Sequence, residues 1–75
     1  MKKTRGTYQR EEKDYTLSVD YTYYWDNGDY YTPPETDLEV TDAYIDSDLL
    51  PLEFYLDFIH EKIEEDMHEY AQANR

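Results

Sequence analysis

His60, Glu64 and His68 follow one another at four-residue steps, a spacing that lines metal-ligating side chains along one side of a helix. The chain has no cysteine, and two solvent-exposed histidines on an acidic helix need no ligand, so no metal and no cofactor is expected. Asp26-Asn27-Gly28-Asp29 lacks the wider, fixed ligand spacing of a calcium loop. Carboxylate pairs suited to acid–base work recur, but 19 acids in 75 residues produce such pairs without any catalytic role. No enzymatic site is expected, because a small sheet with one helix offers little concavity in which to hold a nucleophile or base.

The chemistry that stands out is charge. Seven basic against 19 acidic residues give a net charge of -12. Residues 1–13 hold five basic residues and two acids, a net +3, so residues 14–75, with two basic residues and 17 acids, stand at -15. On a helix turning about 100° per residue, Glu53, Asp57, Glu61, Glu64 and Glu65 occupy the side opposite the apolar stripe. Asp57, Glu61 and Glu65 are each separated by about 6 Å of rise, and Asp20, Asp37, Glu39 and Asp42 extend the negative field over the sheet. Such a surface stands in for nucleic-acid phosphates. Tyr24 and Tyr31 are expected to add aromatic contacts to it. Direct binding of nucleic acid is excluded, because the body would repel phosphate where base-stacking proteins supply Lys and Arg. Phe54 and Phe58, four residues apart and beside Glu61 and Glu65, lie off the core stripe and need cover. A second copy, another protein, the basic N-terminal segment or a chain end would each supply it.

The elements that position these groups follow from patterning. Residues 1–13 contain Gly6, clustered charge and no hydrophobic period, and read as a flexible basic arm. Residues 14–75 read as a single acidic domain. Tyr15, Leu17, Val19, Tyr21 and Tyr23 alternate with Thr16, Ser18, Asp20 and Thr22, the mark of a half-buried strand. Asn27-Gly28 predicts a type I′ hairpin turn that sets Trp25 opposite Tyr30 and Tyr24 opposite Tyr31. Pro33-Pro34 interrupts the returning strand, and a bulge near Thr41 and Asp42 lets Leu38, Val40, Ala43 and Ile45 share one core. Ser47 and Asp48 suit a helix cap and Pro51 a first turn. Leu52 to about Ala73 then reads as one long amphipathic helix whose stripe is Leu52, Tyr55, Leu56, Ile59, Ile63, Met67 and Tyr70. The expected fold is α+β, a ββα domain in which an antiparallel hairpin sheet packs against one C-terminal helix.

Neither the apolar core of a secretory signal nor a run of about 18 apolar residues is present, so no membrane partner is expected and the cytoplasm is the expected compartment.

The run Tyr15 to Tyr24, the turn, Pro33-Pro34-Glu35, the strand Leu38 to Ile45 and the glutamate-rich helix Ile59 to Tyr70 together resemble short acidic proteins encoded by tailed bacteriophages, over residues 14–72. The resemblance implies a phage setting, with the host cytoplasm as location, and carries over no functional residue. Small acidic phage proteins often occupy host enzymes, including defence nucleases. The expected function is therefore a non-enzymatic inhibitor that presents carboxylates and tyrosines to a basic nucleic-acid-binding site on a host nuclease, polymerase or defence complex. The same residues also fit a small assembly protein that forms a homodimer through Phe54 and Phe58, or an adaptor for a partner unrelated to nucleic acid.

Overall fold

Period-two alternation governs the first two thirds of the chain, and the computed structural model, which describes residues 2–75, turns it into a four-stranded antiparallel sheet. The strands are β1 (Lys2–Glu11), β2 (Thr16–Asp26), β3 (Glu35–Ile45) and β4 (Asp48–Leu50), side by side in chain order. Two helices follow, α1 (Leu52–Phe58) and α2 (His60–Ala73), giving an α+β fold. The long strands make the molecule an elongated 48 × 22 × 18 Å.

Both helices pack on one face of the sheet. Leu17, Val19, Tyr21 and Tyr23 of β2 and Ala43 of β3 are buried there against Tyr55, Ile63, Met67 and Ala71. Leu38, Val40 and Ile45 join this core because the pairing slips between Asp20 and Tyr21, which leaves Thr41 as an extra residue between Val40 and Asp42. The expected bulge is present: it restores the inward parity of Ala43 and Ile45.

The expected flexible basic arm is instead strand β1, paired with β2 from Lys2↔Trp25 to Glu11↔Thr16. Charge had masked its alternation: Thr4, Gly6, Tyr8 and Arg10 face the helices, whereas Lys3, Arg5, Thr7 and Gln9 face the other way. Gly6 makes room for a core side chain there: a Cβ at this position would stand 2.5 Å from the Tyr21 hydroxyl, so a larger residue would have to displace that ring. As an edge strand, β1 is also where lysine and arginine discourage uncontrolled strand addition.

Asn27-Gly28 does not make the expected tight turn, so Trp25 pairs with Thr36 and Tyr24 with Asp37 in place of Tyr30 and Tyr31. Prolines 33 and 34 have no N–H for the ladder, and the chain 27–34 forms a loop in which Asp29 Oδ1 accepts the N–H groups of Tyr31 and Thr32 at 2.8 and 2.7 Å. Gly28, at φ 75°, lies so close to Thr32 and Pro34 that a side chain would clash with their backbone. Two-residue hairpin geometry occurs at Asp46-Ser47, both with positive φ, between Ile45 and its partner Asp48. Ser47 and Asp48 are therefore turn and strand residues, and Pro51 occupies the N-cap position.

The single long helix is likewise corrected to two. Ile59 departs to φ -117°, and the Lys62 N–H bonds back to the Ile59 carbonyl at 3.0 Å. Inward residues at four-residue steps drift about 40° per step around a straight helix, so one cylinder would carry Tyr55 and Ala71 to different sides. A break at Ile59 lets Tyr55 and the Ile63–Met67–Ala71 row both face the sheet. Leu52, Leu56 and Tyr70, expected in the stripe, are partly exposed as a result. Among the described residues no helix is long and apolar enough to cross a membrane.

Candidate functional site

Helices cover one side of the sheet and leave the other open. The residues that alternate with the core on β2, namely Ser18, Asp20, Thr22 and Tyr24, share the open face with Lys3, Arg5, Thr7 and Gln9 of β1. From β3 the register brings Glu35, Asp37, Glu39, Asp42 and Tyr44 to this same face. Acids at alternate positions of a strand lie about 6.6–6.8 Å apart, comparable with the separation of phosphates along a nucleic-acid backbone.

Two cross-strand pairs set like charges directly opposite each other: Asp20 against Asp42 and Asp26 against Glu35. Such pairs destabilise a sheet. Where β1 meets β2, by contrast, Thr7 donates to Asp20 Oδ1 at 2.7 Å and Arg5 stands opposite Thr22. Around the bulge the face hollows to a depression of about 600 Å³, lined by Arg5, Thr7, Asp20, Thr22, Thr41 and Asp42. A polar recess holding two carboxylates suits a partner's ammonium or guanidinium group. Tyr24 hydrogen-bonds the Glu39 carboxylate at 3.2 Å, which raises its hydroxyl above the ordinary tyrosine range. Lost hydration and the fields of Glu39 and Asp37 add to that shift, and Arg5 opposes it.

The acids expected on the helices are all exposed: Glu53, Asp57, Glu61, Glu64 and Glu65. Glu69, also exposed, extends the four-residue series 53, 57, 61, 65 along the outside of α1 and α2. These residues and Tyr24 lie on opposite sides of the sheet, so the set expected to form one contact is divided between two surfaces. Tyr31 belongs to neither: it is 89% exposed in the loop 27–34, where its ring meets the edge of Tyr30 at 5.0 Å. Phe54 and Phe58 are exposed, with their ring centroids 4.8 Å apart.

Among the described residues no three His, Cys, Asp or Glu side chains are placed to hold a metal ion. His60 Nδ1 instead lies 2.9 Å from the Tyr55 hydroxyl across the helix break, and His68 meets Tyr23 edge to face. Sequence reasoning missed Glu35 and the like-charge pairing of the open face. The polar half of the β2 alternation was the available signal, but the opposing residues depend on a register that the prolines and the bulge both shift.

Compared with known proteins, the chain matches no family model, no curated protein and no solved structure.

Proposed function

We propose that the protein is a non-enzymatic inhibitor or regulator that docks the open face of its sheet on a basic, nucleic-acid-binding site of another protein. The observation that carries this reading is the pairing of Asp20 with Asp42 and of Asp26 with Glu35, with Asp37 and Glu39 between them on β3. A sheet surface serving solubility alone gains nothing from like charges set face to face, whereas a cationic partner relieves their repulsion and converts it into binding free energy. Tyr24, held by Glu39, supplies a positioned aromatic group on the same face. The helix row from Glu53 to Glu69 is a second acidic surface that adds to the long-range field and to the rate of encounter. The phage setting implied by the sequence resemblance belongs to this proposal, with a host nuclease, polymerase or defence complex as the partner.

Competition tests it. A partner recovered on the immobilised protein is challenged with double-stranded DNA or RNA, and displacement is expected; binding of the partner itself should weaken with added salt, because screening acts over about 8–10 Å at ordinary ionic strength. Asp37→Lys, Glu39→Lys and Asp42→Lys together should abolish binding with an unchanged circular dichroism spectrum. Simultaneous binding of nucleic acid and protein to that partner would overturn the reading.

A further inference from the structure

Phe54 and Phe58 pack ring against ring yet remain 47% and 61% exposed. Neither β1 nor Arg75 covers them: β1 is paired with β2 in the sheet, and Arg75 lies 5.5 Å from the centre of the Trp25 ring. Next to Phe58 opens a cleft of about 290 Å³, lined by Tyr15, Leu17, Ile59 and Ile63 and, at its rim, by Arg10, Glu12 and Lys62. Arg10 is bound to Glu12 and Asp66, whereas Lys62 joins no ion pair among the described residues. Asp57 and Glu61, the sequence neighbours of Phe58 and Lys62, are exposed. One patch thus holds a projecting aromatic pair, a recess with an apolar floor and a charged rim, and, among the described residues, a lysine and two carboxylates outside any ion pair. These features complement their own copies, which is the requirement of a two-fold contact.

We propose that this patch joins two copies of the chain, the phenylalanine pair of each closing the cleft of the other and Lys62 of each meeting Asp57 or Glu61 across the axis. The contact lies on the helix side and leaves the open sheet face free, so it does not depend on the function proposed above. Its salt response has the opposite sign. Two copies each carrying -12 repel, and screening that repulsion favours the dimer, because an exposed ion pair contributes little by comparison.

Sedimentation equilibrium of the full chain from about 1 µM to about 1 mM should show a monomer passing to a dimer. The midpoint should fall at lower concentration in high salt than in low salt. Phe54→Ser with Phe58→Ser should leave a monomer throughout. Lys62→Glu should weaken the dimer about tenfold, and combining it with Asp57→Lys or with Glu61→Lys, either of which returns the net charge to -12, should restore association in one of the two. This charge swap decides the matter if the serine variant does not fold. A wild-type protein monomeric over the whole range, or a folded serine variant that dimerises like wild type, would overturn the proposal. The serine variant should still compete with nucleic acid for a captured partner. Loss of wild-type competition with the dimer intact would instead remove the sheet-face reading alone.

Discussion

Along β2, residues one step apart meet opposite environments. Leu17, Val19, Tyr21 and Tyr23 are sealed under the helices, while Ser18, Asp20 and Tyr24 look out from an uncovered sheet that adds Lys3 and Arg5 on one side and a line of acids on the other. On the covered side each partner adds apolar contact. On the open side two of the opposing pairs repel. The sheet is thus stabilised through one face and loaded with unfavourable charge on the other, and a molecule this small tolerates the second because the first is well filled. The two faces should accordingly answer substitution with opposite signs.

The largest effect belongs to the covered face. Met67 is fully buried over the sheet, and Met67→Ala should lower stability by about 2–5 kcal/mol in urea unfolding, enough to unfold much of the population. A change below about 0.5 kcal/mol would show that the helices do not close this core.

Alkali should find the same face. Burial first, then the Glu64 carboxylate and Tyr8, hold the Tyr55 hydroxyl well above the ordinary tyrosine range, and burial with Tyr70 does the same for Tyr21. A raised folded-state value means that the unfolded chain releases these protons first. Their contribution to stability is complete below about pH 10 and is lost as pH rises from there towards the folded values. Unfolding followed by circular dichroism should therefore steepen above about pH 10. Tyr55→Phe should blunt it, and an unchanged alkaline limb in that variant would contradict the assignment.

The residues behind these two expectations are legible in the sequence itself, since the alternation from Tyr15 to Tyr23 and the helical recurrence of Tyr55, Ile63 and Met67 each mark a buried side. The open face was less legible. Its acids are plain in the sequence, but which ones meet depends on the eight residues between Asp26 and Glu35 and on the extra residue at Thr41, and Asn27-Gly28 pointed to a tighter turn. Strand β1 was hidden because lysine, arginine and glycine occupy positions where β-branched residues usually declare a strand. The break at Ile59 has no Gly or Pro to announce it and arises from fitting two apolar rows to one sheet.

Adjacent tyrosines sharpen the comparison. The buried Tyr23 hydroxyl has no hydrogen-bond partner among the described residues, whereas Tyr24 is bonded to Glu39. Tyr23→Phe should raise stability by about 1 kcal/mol through loss of an unpaired buried hydroxyl, and Tyr24→Phe should leave it unchanged or slightly lower. A loss of stability in Tyr23→Phe would mean that the hydroxyl is satisfied.

Smallest is the effect of Asp42→Asn, which removes one charge from the pair with Asp20 and should stabilise the fold by about 0.2–1 kcal/mol while weakening the partner contact. Thermal unfolding at low and high salt checks it: the gain should shrink with salt. A salt-independent loss of stability would mean that Asp42 serves the fold.

Docking through the open sheet face is tested most directly by an amide chemical-shift titration with a short arginine-rich peptide. The shifts should concentrate at Asp20, Thr22 and Tyr24 of β2 and at Asp37, Glu39 and Asp42 of β3. A response centred on the outer row Glu53 to Glu69, or spread evenly over both acidic surfaces, would contradict it.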